Sequence, residues 1–202
     1  MTIVKSFWKR IFNLGITDDL SGEEKKKTRL LNIVALAGFP ICITFLIINI
    51  FQERPLLVII NLLLALGCLT ILFINKEKKY LLGRFFLSIM SMIVFSVAAL
   101  YYHNGAEYFL ILNIVATVIL FKKSAYILSL STANAILFLV IKFLQPYEYS
   151  NEVVSQTRVL FNIGWTLLFI IMALHYYKTE HLSYHAQIEN TNEQLKEQQK
   201  QL

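Results

Sequence analysis

Charged residues are scarce in this chain, which excludes an ordinary soluble domain. Only 16% of the 202 residues are Asp, Glu, Lys or Arg, whereas 56% are hydrophobic, and the mean hydropathy is +0.57. A soluble domain of this length needs more polar surface to cover its core. Proline and glycine are also few. The apolar residues form blocks whose lengths approach the ~20 residues of a membrane-spanning helix. The sequence therefore predicts an integral membrane protein.

The short motifs that mark many catalytic and metal sites are missing as well. The chain contains no G-x-S-x-G, no H-E-x-x-H, no phosphate-binding P-loop and no C-x-x-C. Cys42 and Cys68 fall inside apolar blocks, where small buried or lipid-facing residues are common. His181 and His185 have a spacing that can hold a metal, but no third ligand lies nearby. We therefore predict no catalytic residue, no metal and no cofactor.

The segment 1–29 lacks the pattern of a cleavable signal peptide, so we expect the first apolar block to direct insertion. Within it, the stretch 3–14 places its apolar residues on one helical face and its basic residues away from that face. This pattern predicts an amphipathic helix at the membrane surface, ended by Gly15. Ser21 and Glu24 then have the spacing of a capping box before the first span.

Six apolar blocks follow, separated by charged or turn-forming connections. They are residues 30–51, 56–75, 80–101, 108–121, 125–144 and 157–177. Each block is apolar on all sides, as lipid-embedded helices are. Pro55 suits a first helical turn, and Asn104-Gly105 is a turn signal. We predict six transmembrane helices, with a re-entrant segment as the alternative for the short fourth block.

The basic residues alternate in density from one connection to the next. Sixteen of the nineteen Lys and Arg residues fall in the N-terminal segment, the second and fourth connections and the tail. Only Arg54, Lys142 and Arg158 are left for the other side. This bias indicates both termini in the cytoplasm of a plasma (inner) membrane protein. The net charge of +6 is thereby explained by topology and anionic lipid, and we predict no binding to nucleic acid.

Polar residues within spans are candidates for function. Glu107 and Lys142 are expected at the same outer end, where they can pair near His103 to form a small polar pocket. Outward snorkelling of Lys142 is the alternative. Asn113 lies in the fourth block, where helix packing is the alternative to a ligand role. The candidate ligand-binding residues are His103, Glu107, Lys142 and Asn113.

The polar tail continues the sixth block without a Gly or Pro to end the helix. Its apolar residues Ile188, Leu195 and Leu202 are spaced by seven, which predicts the seam of a marginal parallel coiled coil. The expected architecture is all-α, with a transmembrane sensor domain over 30–177 and a linker helix over 178–202. Such a helix suits a homodimer that transmits a shift of the sixth span.

Three stretches carry a resemblance to a known family: "IFNLGITDDLSGEEKKKTRLLNIVAL", "NGAEYFLIL" and "HLSYHAQIENTNEQLKEQQKQL". Together with the six spans, they resemble the membrane input region of bacterial multi-pass sensor histidine kinases. The resemblance implies a non-catalytic sensor, a downstream catalytic domain if the chain continues, and a possible small amphiphilic ligand. Similar regions also precede class III nucleotide cyclases. A small transporter or channel and a passive membrane anchor are the alternatives from other classes.

Overall fold

The computed structural model describes residues 11–144 and 156–201, and this part of the chain is all α-helical, without a strand. The six helices of the described residues are α1 (Gly22–Phe51), α2 (Pro55–Lys76), α3 (Tyr80–Tyr102), α4 (Tyr108–Leu120), α5 (Ser124–Leu144) and α6 (Gln156–Gln201). The predicted all-α class is confirmed. Most of the predicted amphipathic helix, and Leu202, lie outside the described residues.

Four of these helices, α1, α2, α3 and α5, are long and apolar enough to cross a bilayer. The other two apolar helices are shorter: α4 has 13 residues, and the apolar part of α6 covers Val159–His175. Apolar side chains are exposed along the long helices, which is the arrangement expected where lipid is the solvent. The chain is therefore a membrane protein, as its composition predicts.

Local sequence signals set the helix starts. α1 begins at Gly22, earlier than the apolar block, because the Ser21 hydroxyl accepts a hydrogen bond from the backbone N–H of Glu24 at 3.3 Å. Pro55 occupies the first turn of α2 as predicted. The Glu24 carboxylate binds Arg84 on α3, so this glutamate links two helices in addition to lying in the first turn of α1.

The helices run back and forth between two polar ends, each with its own buried apolar cluster. At the N-terminal end, the start of α1 meets the α2–α3 and α4–α5 connections around Leu31, Ile71 and Phe121. The distal end contains the α3–α4 turn and the end of α5, around Tyr102 and Ile141. Polar contacts at each end fix how the helices are arranged in the membrane.

At the N-terminal end, the segment before α1 docks onto the helices. The Asn32 amide of α1 donates to the carbonyl oxygens of Phe12 at 3.1 Å and Leu14 at 3.0 Å. The Tyr80 hydroxyl of α3 donates to the carbonyl oxygen of Gly15 at 2.5 Å. These bonds satisfy backbone acceptors at the end of the bundle and make the segment part of the fold.

Gly15 fits this docking because it has no side chain. Its φ is +76°, which supports the predicted helix end, and an added Cβ would lie 1.8 Å from the backbone oxygen of Asn75. Asn75 in turn donates through Nδ2 to Oδ1 of Asn32 at 2.8 Å, so the same two asparagines hold α1, α2 and the segment together.

The substitution Gly15→Ala is expected to undock the segment 11–20. The new Cβ would collide with the α2 backbone and hold a side chain at positive φ, a combined cost of about 1–3 kcal/mol or more. Amide hydrogen exchange of the chain in nanodiscs should show lost protection over residues 11–20. Gly22→Ala is the control, because a Cβ there meets nothing within 4 Å. Equal protection in the two variants would contradict the docking.

Candidate functional site

The turn between α3 and α4 is buried and conformationally unusual; we call residues His103–Glu107 the distal turn. His103 has φ +45° and Gly105 has φ +78°, so the chain reverses direction within a few residues. The Asn104 side chain fixes the turn by accepting a hydrogen bond from the N–H of Ala106 at 3.0 Å. A positive φ at a non-glycine residue costs free energy, and such positions cluster at functional sites.

Glu107 and Lys142 meet at this turn, as the sequence predicts. The Lys142 ammonium on α5 donates to Oε1 of Glu107, and it lies 4.8 Å from the centre of the Tyr108 ring. The Glu107 side chain is 2% exposed and that of Lys142 36%, so a buried carboxylate is paired with a cation that reaches in from the surface. Such pairing is what allows a charge to be buried.

Two further polar atoms of the turn are buried. Oε2 of Glu107 and Nε2 of His103 have no hydrogen-bond partner among the residues that the structure describes. Most buried polar atoms in native proteins are paired, so an exception marks a candidate site for a water or a ligand. Glu107 and Lys142 are therefore in direct contact, and His103 belongs to the same turn.

The distal turn also contacts α6. The Asn162 amide donates to the carbonyl oxygen of Asn104 at 2.8 Å. A Cβ on Gly105 would lie 3.3 Å from the backbone oxygen of Val159, so the two backbones approach closely there. The turn is thus fastened to α5 by an ion pair and to α6 by a hydrogen bond. The sequence analysis did not identify Asn162 as a partner of the turn, because local periodicity does not show which helix faces meet.

Asn113, the fourth candidate, lies apart from the turn. Its amide nitrogen donates to the carbonyl oxygen of Ser88 at 2.9 Å and to Oδ1 of Asn134 at 3.0 Å. Asn134 donates to the carbonyl oxygen of Leu130 at 2.8 Å. This chain of bonds joins α3, α4 and α5 inside the apolar layer, which favours the packing interpretation of Asn113.

A second polar network, which sequence reasoning did not identify, lies at the N-terminal end. Arg84 contacts Glu24 with one guanidinium nitrogen at 2.5 Å, and Lys122 contacts Glu23 at 2.8 Å and Glu24 at 3.8 Å. The hydrogen bond from Lys122 to Glu23 raises the pKa of that lysine, so its ammonium stays charged at neutral pH. The available sequence signal was the spacing of polar Glu24, Thr28 and Asn32 by four on one face of α1.

Two of the predicted seam residues, Ile188 and Leu195, lie on α6, which is one continuous helix from Gln156 to Gln201. Ile188 is exposed, at 42% of its surface. The side chain of Leu195, like the whole of Leu202, lies outside what the structure describes. A coiled coil requires a second helix, so the seam stays a prediction.

Comparison of the chain with protein-family models, curated proteins and solved structures finds no match. Within the described part of the chain, no three His, Cys, Asp or Glu side chains form a group that could hold a metal. Function must therefore be argued from the distal turn and its connection to α6.

The Asn113–Asn134 bond can be tested by a double-mutant cycle with Asn113→Ala and Asn134→Ala. Because the two side chains contact each other inside the apolar layer, we expect a coupling of about 0.6–1.7 kcal/mol in the free energy of unfolding in mixed micelles. Asn61→Ala combined with Asn113→Ala is the control, since Asn61 donates to Leu57 on its own helix. Additive effects in both cycles would argue against the bond.

Proposed function

We propose that this chain is the membrane sensor domain of a dimeric signal-transducing enzyme, most simply a sensor histidine kinase. The observation that carries the proposal is α6, a continuous helix of 46 residues. At 1.5 Å per residue it is about 69 Å long, more than twice the ~30 Å of the hydrocarbon layer. Near its start it binds the distal turn, and its later part is polar and helix-forming. In this proposal a single helix therefore extends from the distal turn, where His103 has a positive φ, into water.

The proposal includes six spans, with both termini in the cytoplasm. The contacts of α4 support it, because Glu107 before this helix pairs at the distal end while Lys122 after it pairs with Glu23 at the N-terminal end. The 13 residues of α4 cover only about 20 Å. The buried distal turn and the extended residue Phe121 lengthen the crossing. A re-entrant α4 would leave Lys122 at the wrong end.

Single cysteines test this topology, in a variant with Cys42 and Cys68 replaced by Ser. We expect a membrane-impermeant maleimide to label Glu53→Cys on intact cells. Lys78→Cys and Lys123→Cys should be labelled only after the membrane is permeabilised. Because α4 separates the distal turn from Lys123, labelling of Lys123→Cys on intact cells would show that α4 does not cross.

The proposed mechanism is a shift of α6 driven by the distal turn. A stimulus that changes the Glu107–Lys142 contact moves the turn, and the Asn104–Asn162 bond transfers that movement to α6. In a homodimer, the tails pair along the predicted seam Ile188, Leu195 and Leu202, and a rotation changes their register. A weak seam suits a coupler with two states of similar free energy.

A nucleotide cyclase output and a transport function are the two alternatives to a sensor histidine kinase, and each can be distinguished from it. A class III nucleotide cyclase would use the same input domain, so the catalytic region that follows the tail decides between it and a kinase. A transporter or channel would need charged groups near the middle of the bundle. Among the described residues, the buried charged side chains are Arg84 and Glu107, which lie at opposite ends of the bundle. This placement favours a sensor over a transporter.

The transmission is tested by joining the full chain through its tail to a histidine kinase catalytic region. Inserting two residues after Asn190 turns the following helix by about 200°, whereas duplicating seven residues returns it to within about 20° of the original phase. We expect the two-residue insertion to change autophosphorylation in membranes by about fivefold or more. The seven-residue insertion is the control and should preserve it. Equal output from both would indicate a passive anchor.

A further inference from the structure

We propose that the distal turn is a site for a primary ammonium group, which the chain's own Lys142 fills in the absence of a ligand. The ligand is an amine that reaches the membrane surface, either the ammonium headgroup of a phospholipid or a free alkylamine. The role of such binding as a signal rests on the proposed function, whereas the binding itself can be measured without any output domain.

The receptor groups are a buried carboxylate and an aromatic face. Glu107 is almost completely buried, and the Tyr108 ring lies beside it at the start of α4. The Lys142 ammonium makes the ion pair and the cation–π contact together, which shows that a cation of this size and charge fits. The Lys142 ammonium therefore occupies the position that the ammonium group of an external ligand would take.

The occupant is exchangeable, because the lysine is held at the end of a helix with 36% of its side chain exposed. Withdrawing Lys142 into water restores its hydration, whereas Glu107 stays in the buried turn and requires a cation. An external anion would remove the lysine and leave this carboxylate unpaired. An external cation replaces one ammonium by another, so the site discriminates in favour of positive charge.

Glu107 also selects the kind of cation. Its Oε2 is buried without a hydrogen-bond partner in the described part of the chain, so within those residues the site is short of a donor. A primary ammonium has three N–H donors and can bind both carboxylate oxygens, whereas a quaternary ammonium has none. Leu139 and Phe143, on either side of Lys142 along α5, are 66% and 68% exposed, which provides an apolar path for an alkyl chain. The expected ligand is thus a primary-amine amphiphile.

The test uses the full chain in nanodiscs of phosphatidylcholine and phosphatidylglycerol, titrated with hexylammonium by calorimetry. Removing the competing lysine in Lys142→Met should tighten binding by about tenfold or more, since the tethered group no longer occupies the site. Glu107→Gln in the same background should abolish binding. Lys123→Met is the matched control, because Lys123 also lies over a tyrosine ring, 5.5 Å from the centre of Tyr126, but at the other end. Its affinity should equal that of the unaltered chain.

Two comparisons separate the chemistry from non-specific partition. Hexyltrimethylammonium has the same charge and chain without N–H donors, and hexanol has a donor without charge; both should bind at least about tenfold more weakly than hexylammonium. If Lys142→Met does not assemble, Lys142→Gln replaces it, since its amide still donates to Glu107. Equal binding of the three probes, or binding that survives Glu107→Gln, would overturn the proposal.

The source of the amine is decided by the lipid. Replacing phosphatidylcholine by phosphatidylethanolamine changes the headgroup from a quaternary to a primary ammonium. If the lipid is the source, this exchange raises the melting temperature of Lys142→Met and leaves that of Lys142→Met with Glu107→Gln unchanged. Stabilisation by added hexylammonium alone identifies a free amine. Stabilisation by neither rules out the site, while the register experiment on the tail would still stand on its own.

Discussion

The structure depends on one constraint: a polar group within the hydrocarbon layer must find its partner inside the protein, because lipid offers none. Asn113 on α4 meets it by bonding to α3 and α5 at once. Asn32 meets it by binding the segment before α1 and Asn75. In each case the few polar side chains of an apolar helix determine which helices are neighbours, since the hydrophobic effect does not choose between two apolar faces in lipid.

The two ends of the bundle satisfy this constraint with different arrangements of charged side chains. At the N-terminal end, Glu24 pairs with Arg84, and Lys122 lies within ion-pair distance of both Glu23 and Glu24. These ion pairs form a network. At the distal end, the buried carboxylate of Glu107 pairs with Lys142, and its Oε2 has no hydrogen-bond partner among the described residues. The first arrangement holds the helices in place, and the second leaves a site that can be changed. This difference is the reason that the proposed function places sensing at the distal turn.

The distal turn contacts α6 directly. The backbone of Gly105 approaches Val159, and Asn104 accepts a hydrogen bond from Asn162 one turn further along α6. No intermediate layer of side chains separates the turn from this helix. Because α6 continues without a break to Gln201, the proposed movement at its start has one continuous helix along which to reach the polar tail. This continuity is the mechanical basis of the proposed function.

The sequence by itself determined the membrane environment, the all-α class and the positions of the apolar blocks, because these follow from composition, local pattern and scarcity of charge. It offered the pairing of Glu107 with Lys142 beside outward snorkelling of Lys142, and the structure shows the pair. It also indicated the turn at Asn104-Gly105. Only the tertiary structure showed that Asn113 belongs to a packing network, that Asn162 binds the distal turn and that Arg84 binds Glu24. Those contacts join residues 20 to 60 positions apart. They depend on which helix faces meet, and local periodicity contains no information about that choice.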